Sequence, residues 1–133
     1  WNWFALQFED GSALMFAQGV NEAENSALDS IGTFIYPDNT TVSLSLEDVQ
    51  LEVLETWTSP TSGGEYPAAW RMTIPSLNLE ITGEPLMANQ ELNVSTTYWE
   101  GAVRFSGTRD GAATTAVGYV EMTGYAGSLG GRL

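Results

Sequence analysis

The sequence predicts an all-β fold, an antiparallel barrel or sandwich built from about eight to ten short strands. Apolar residues alternate with polar ones along the chain, β-branched and aromatic residues are frequent in the alternating stretches, and turn-forming residues recur at short intervals. A chain of 133 residues with 43% apolar residues is long enough for one domain with its own core. We place this domain at residues 1–126 and expect a flexible tail at residues 127–133.

In the first half of the chain, turn signals separate the predicted strands. Asp10-Gly11 and Asp38-Asn39 are turn sequences, and the acidic stretch 21–30 is typical of a loop. Ser45-Leu46-Glu47-Asp48 has the character of a capping box and predicts a single helical turn. The strands predicted between these signals cover residues 2–9, 12–20, 31–37 and 49–57.

The second half predicts a loop at residues 59–67, which are rich in Gly, Pro and Ser, and then further strands. Pro75-Ser76 forms a corner, and Asp110-Gly111 connects the arms of a long hairpin. The strands predicted here cover residues 68–74, 77–84, 98–107 and 118–125.

The long hairpin has two unlike faces, because side chains alternate along a strand. One face carries Tyr98, Glu100 and Arg104 on the first arm and Tyr119 and Glu121 on the second. The opposite face is apolar or glycine. The polar face is either in contact with water or lines a cavity in which these groups perform chemistry, and the pattern leaves both interpretations open.

The first strand is apolar on both faces. Phe4 and Leu6 lie on one face, while Trp1, Trp3 and Ala5 lie on the other. A strand of this kind is covered on both sides. We therefore expect a barrel with an apolar lumen, part of whose outer surface packs against another structure.

Composition excludes several classes of function. The formal charge of −13 comes from 17 acidic residues and four arginines, without any lysine, so nucleic acid and anionic lipid are unfavourable partners. Without histidine or cysteine the chain has no Ser-His-Asp triad, thiol nucleophile, Cys/His zinc site or disulfide. Acid–base chemistry would depend on Asp, Glu or Tyr.

The chain shows no transmembrane segment and no signal peptide, and it begins at Trp1, as expected of a processed protein or a fragment. We expect a periplasmic, extracellular or membrane-associated location. High acidity agrees with solubility in a salty or extracellular setting.

Several motifs together resemble a known family. They are, in order, Trp1-Asn2-Trp3-Phe4 with Leu6-Gln7 and Asp10-Gly11, Glu65-Tyr66-Pro67 with Trp70-Arg71, Gln90-Glu91-Leu92, Tyr98-Trp99-Glu100-Gly101, and residues 118–125. From Trp1 to about Tyr125 the chain resembles the carboxy-terminal domain of the carotenoid 1,2-hydratase/AttH-like family. This resemblance implies a lipocalin-like (calycin) barrel, a hydrophobic isoprenoid or polyene ligand, and hydration or cyclisation without a cofactor. Family proteins usually have two such domains, so a second lipocalin-like domain or a partner subunit is also implied.

Hydration of an isoprenoid double bond requires a proton donor, and a carboxylic acid in an apolar pocket can remain protonated. Glu100 and Glu121 are therefore candidate catalytic acids, and Asp38 at a strand end is another. Candidate ligand-binding residues are the aromatic and cationic side chains near them: Trp3, Trp70, Arg71, Tyr98, Trp99, Arg104 and Tyr119.

Simpler interpretations remain for each of these residues. Arg71 and Arg104 can form structural ion pairs with Glu100 and Glu121, Asp38 can stabilise its own turn, and tryptophans are often core residues. A different function is then expected, that of a non-catalytic structural or interaction subunit in a larger assembly.

Overall fold

A computed structural model describes residues 1–19 and 32–126, and the ten strands found in these residues form one antiparallel sheet. The predicted acidic loop 21–30 and the tail 127–133 lie outside the described residues. The strands are β1 (Asn2–Phe8), β2 (Ala13–Gln18), β3 (Gly32–Ile35), β4 (Thr41–Leu44), β5 (Gln50–Thr58), β6 (Glu65–Ile74), β7 (Leu79–Pro85), β8 (Glu91–Asn93), β9 (Thr97–Arg109) and β10 (Ala112–Thr123).

The sheet is strongly curled into a half-barrel, with the strand order β4-β3-β2-β1-β10-β9-β7-β6-β5. The short strand β8 pairs separately with the start of β9. Among the described residues helix is confined to two single 3-10 turns, Leu46–Asp48 and Pro75–Leu77. No helix in this part of the chain has the length and apolar character needed to cross a membrane. The prediction of an all-β, antiparallel, lipocalin-like fold is confirmed.

The concave side of the sheet holds the hydrophobic core. Every second residue of β1 is buried there, and the Phe4 ring meets the Trp70 ring edge-on, with 5.5 Å between centroids. Trp70 also stacks on Phe105 at 6.1 Å. Trp70 and Trp99 are both 1% exposed, so side chains occupy the interior where we expected an apolar lumen.

Local sequence explains the turns. The hairpin between β9 and β10 turns at Asp110 and Gly111, whose φ angles of 51° and 78° are those of a two-residue turn that fits the twist of its strands. Ser45 donates hydrogen bonds from its backbone N–H (2.7 Å) and from Oγ (2.9 Å) to the Asp48 carboxylate. The capping box and the single helical turn predicted here are therefore confirmed.

Two boundary predictions are wrong. The second arm of the long hairpin, expected at residues 118–125, begins six residues earlier, at Ala112, and ends at Thr123. The loop expected over residues 59–67 ends earlier, because β6 begins at Glu65 and includes Pro67. Pro67 pairs with Thr56, directly beside the irregular register on either side of Glu55 in β5. Proline cannot donate a ladder hydrogen bond, and strands tolerate it at such irregularities.

Candidate functional site

The β9–β10 hairpin turns its polar face away from the core. Trp99, Val103 and Phe105 point into the core, whereas Arg104 is exposed and Glu100 is half-buried on the outer surface. Charge accounts for this orientation, because burying an unpaired carboxylate or guanidinium costs far more than exposing tyrosine or alanine. The apolar face of the hairpin is therefore its inner face, and the polar face is its outer face.

Glu100 and Glu121 are brought together on this outer face. They are directly paired across β9 and β10, and Trp3 on β1 is the partner of Glu121 on its other side. Directly opposed side chains in an antiparallel pair have Cβ atoms about 4.5–5.5 Å apart. Two of the three candidate acids are therefore neighbours, and like charges in this position repel each other.

Aromatic groups surround the two carboxylates. The Trp1 indole Nε1 donates a hydrogen bond to Glu121 Oε1 at 3.2 Å. Burial raises the pKa of the Tyr119 hydroxyl, and the negative charges of Glu100 and Glu121, with a hydrogen bond to Glu100, raise it further. Tyr119 is therefore a neutral donor beside the acidic pair at physiological pH.

The ion pairs expected between these glutamates and the arginines are not formed. Arg104 donates from Nη2 to Glu84 Oε1 at 2.9 Å. Arg71 donates from Nη1 to Glu52 Oε2 at 2.8 Å. These pairs form because Arg104 lies directly opposite Glu84 on β7, and Arg71 lies directly opposite Glu52 on β5.

Among the described residues the third arginine, Arg109, pairs with Asp10 and donates to Ser12 Oγ. No arginine in this part of the chain is therefore paired with Glu100 or Glu121. The described residues also contain no group of three or more acidic side chains arranged to hold a metal ion.

Shallow cavities flank the acidic pair on the outer face. One, of about 420 Å³, is lined by Trp1, Trp3, Met15 and Glu121 together with smaller residues. A second, of about 490 Å³, is lined by apolar side chains that include Leu86, Val117 and Tyr119. We call this surface, formed by the outward side chains of β9, β10, β1 and β2 with Leu86, the outer apolar face.

The other predicted site residues do not line either of the two cavities beside the acidic pair. Trp70 and Trp99 belong to the core, and the Trp99 indole Nε1 donates to the Ala88 carbonyl at 2.8 Å. Asp38 Oδ1 accepts from the backbone N–H of Thr40 at 3.0 Å and from its hydroxyl at 2.6 Å. This turn lowers the pKa of Asp38, which keeps its carboxyl ionised.

Tyr98 and Arg104 remain on the outside of the sheet. Tyr98 is half-buried and is paired with Leu92 of β8. Arg104 and its partner Glu84 line a separate cavity of about 530 Å³ with Leu54 and Thr115. Arg71 is exposed on β6, next to Glu52.

The candidates deduced from the sequence did not include a third half-buried glutamate, Glu91. Its Oε1 accepts from Ser59 Oγ at 2.8 Å, and its Oε2 accepts from Ser62 Oγ at 2.6 Å. Asn93 Nδ2 donates to it as well, at 2.9 Å. The three donors together lower the pKa of Glu91 despite the opposing effect of burial.

The Tyr66 hydroxyl lies beneath this network. It is buried and has no partner with hydrogen-bonding geometry among the described residues, yet burial, and Glu91 nearby, raise its pKa strongly. In the sequence, the polar composition of Ser59 to Ser62 and of Gln90-Glu91 was the only sign of such a network.

Gln90 was also not among the candidates, and it explains a glycine in the long hairpin. Its side chain lies against Gly101, accepts a hydrogen bond from Ala102 N–H at 2.9 Å and donates to the Ala102 carbonyl at 3.1 Å. A Cβ at position 101 would be 2.3 Å from the Gln90 amide carbon. Gly101 therefore leaves room for the Gln90 side chain, which forms the hydrogen bonds of the β9 backbone next to the first residue of β8.

Comparisons with known proteins agree with this architecture. The crystal structure of an AttH protein from Nitrosomonas europaea is 32% identical over 94% of this chain, with a TM-score of 0.72. Kievitone hydratase from Nectria haematococca is 19% identical over 92% of the chain, with a TM-score of 0.69, which shows similarity of fold alone. This chain spans 38% of the length of each of these two proteins.

A search of curated proteins found no match. The profile of the AttH-like family matches residues 1–125, nearly the whole chain. Together with the lipocalin-like fold and the ordered motifs from Trp1 to Tyr125, this match shows that the chain belongs to the AttH-like family.

Proposed function

We propose that the outer apolar face is one wall of a binding site for a hydrophobic isoprenoid or polyene ligand. A second lipocalin-like domain or a partner subunit completes this site. In the complete protein Glu100 or Glu121 then donates the proton for hydration or cyclisation without a cofactor. The observation that carries the proposal is the directly opposed Glu100–Glu121 pair within an otherwise aromatic and aliphatic surface.

The chemistry requires the carboxyl group to hold a proton. A covering domain would exclude water from the surface that carries Glu100 and Glu121, and a carboxylic acid in an apolar site can act as a proton donor. Proton transfer to an alkene carbon breaks the carboxyl O–H bond and leaves a tertiary carbocation. Water adds to the cation and loses a proton to the carboxylate, which restores the acid.

The aromatic side chains have a defined part in this scheme. The faces of Trp3 and Tyr119 stabilise a cation electrostatically without forming a bond to it. Because its pKa is raised, the Tyr119 hydroxyl stays neutral, and the proton released by water goes to the carboxylate.

Two further findings support the proposal. Tyr119 is 43% exposed and Trp1 is 39% exposed, so both aromatic side chains are open to a ligand or to a covering domain. One structural neighbour of this fold is a hydratase by name, and both neighbours have chains of which this domain spans only 38%.

The test uses the full-length protein and an acyclic polyene as substrate. We expect Glu100→Gln or Glu121→Gln to lower kcat at least about 100-fold, the usual effect of removing a general acid. Glu9→Gln is the matched control, since it removes the same charge at an exposed position of the β1–β2 turn. If turnover survives in both glutamine variants, neither carboxyl is the acid.

A non-catalytic function is the second candidate, supported by the filled interior of the sheet. In this case the outer apolar face is an assembly surface, and Trp1→Ser or Trp3→Ser dissociates the complex isolated from the source organism. Native mass spectrometry of that complex distinguishes the two functions. A monomeric protein that retains its mass and state in both variants would rule out the assembly function.

A further inference from the structure

The cavity of about 420 Å³ on the outer apolar face has a composition of its own. Trp3 lies at its centre, with Glu121 as its register partner on β10 and Ala17 as its partner on β2. Ala17 is small, so that space remains beside the Trp3 indole. Met15 and Trp1 close two further sides.

Among the side chains of the described residues that line the cavity, Glu121 is the only charged one, and the α-ammonium of Trp1 donates to the Thr123 carbonyl at 3.0 Å. Glu121 supplies a carboxylate within the lining, and Glu100 lies directly opposite Glu121. The neighbouring Arg104 is paired with Glu84, and Arg71 with Glu52. The net charge of −13 adds a long-range attraction for cations.

We infer that this cavity binds the alkylammonium group of an organic cation. The Trp1 and Trp3 indoles contact the methyl or methylene groups around the nitrogen, and the Glu121 carboxylate supplies the counter-charge. Indole is the strongest aromatic partner for a cation, and recognition of quaternary ammonium groups by aromatic side chains follows from this. The inference goes beyond the proposed function, since it requires neither hydration nor a second domain.

A pair of isosteric ligands tests the inference by isothermal titration calorimetry on the 133-residue chain. Choline carries a quaternary nitrogen, and 3,3-dimethylbutan-1-ol has a neutral carbon at the same position. We expect choline to bind at least about tenfold more tightly, because cation–π and carboxylate interactions act on the charged ligand alone. Equal affinities, or no detectable binding of choline, would overturn the inference.

Two variants locate the site. Glu121→Gln should weaken choline binding about tenfold, because the counter-charge is lost while the cation–π contacts remain, and it should leave the affinity for the alcohol unchanged. Trp3→Leu keeps an apolar side chain at the centre of the cavity and should weaken choline binding about tenfold. Retained choline affinity in both variants would place the binding elsewhere and contradict the inference.

The control variant is Glu9→Gln. Glu9 lies six residues along from Trp3, about 20 Å away at the rise of an extended strand. The Glu9→Gln substitution removes the same unit of net charge as Glu121→Gln, and we expect it to leave choline affinity unchanged. An equal loss in Glu9→Gln and Glu121→Gln would show attraction by net charge alone, and no site at Trp3.

Discussion

The two faces of the β9–β10 hairpin both carry aromatic side chains, but the structure treats them differently. On the inner face Trp99 is 1% exposed and Phe105 is 2% exposed, whereas on the outer face Tyr119 is 43% exposed. Both charged pairs of neighbours, Glu100 with Glu121 and Arg104 with Glu84, lie on the outer face. The buried inner face therefore stabilises the fold, and the outer face, which carries the charged residues, is available for recognition.

The largest difference between the faces should appear in stability. We expect Trp99→Ala to lower the free energy of unfolding by about 3–5 kcal/mol, because it leaves a cavity in the core and removes the indole bond to Ala88. Tyr119→Ala, the matched change on the outer face, should cost less than about 1 kcal/mol. Urea denaturation of both variants measures the difference, and similar losses would contradict the assignment of the two faces.

Glu91 is a second acidic environment for comparison with the opposed pair, since its oxygens are used by Ser59, Ser62 and Asn93. We expect Glu91→Gln to cost about 1–3 kcal/mol, because an amide cannot accept all three hydrogen bonds. The free energy of unfolding from urea titration at neutral pH measures this loss. An unchanged midpoint would mean that solvent replaces the network without cost.

The pH dependence of stability should reveal the contribution of carboxylates that accept hydrogen bonds from serine. The folded-state pKa of Glu91 is lowered from 4.5, and that of Asp10 from 3.8, in both cases by hydrogen bonds to serine hydroxyls. A carboxyl group with a lowered folded-state pKa stabilises the folded protein fully when the pH is above its unfolded-state pKa. This contribution is lost as the pH falls through the folded-state pKa. We expect stability to decrease below about pH 4.5, with a shallower decrease in Glu91→Gln, as measured by thermal unfolding at a series of pH values. Parallel pH profiles would exclude Glu91 as a source of the decrease.

The smallest effect should come from the opposed glutamates themselves. Glu121→Gln relieves repulsion by Glu100, worth about 0.2–1 kcal/mol, but also weakens the hydrogen bond from Trp1. We expect the net change in unfolding free energy to lie within about 0.5 kcal/mol of zero. A large loss of stability here would show that Glu121 has a structural role comparable to that of Glu91.

Local signals in the sequence were sufficient for much of the fold. Asp110-Gly111 and the alternation on both of its sides predicted the hairpin, and Ser45 with Asp48 predicted the single helical turn. The resemblance to the AttH-like family came from motifs spread over the chain, and the family profile confirms it over residues 1–125. The pairing of Glu100 with Glu121 could also be deduced from the sequence, since a two-residue turn fixes the register of its hairpin.

Contacts between strands distant in sequence were not accessible. Arg104 pairs with Glu84 because β7 lies beside β9, and this partner could not be chosen without the strand order. Arg71 pairs with Glu52 on the preceding strand β5, in a hairpin whose loop the sequence prediction extended to residue 67. The network around Glu91 joins residues 29 and 32 positions apart. No local pattern encodes such contacts.

The sequence by itself therefore determined the class of fold, the hairpins, the family and the separation of polar and apolar faces, because all of these follow from residue order within short segments. Only the tertiary structure decided that the core fills the concave side, that Trp70 and Trp99 belong to it, and that Glu100 and Glu121 face outward without an arginine partner among the described residues. The physical reason is that the curl of the sheet and the strand order fix which face is enclosed and which charges become neighbours, and both depend on the packing of the whole chain.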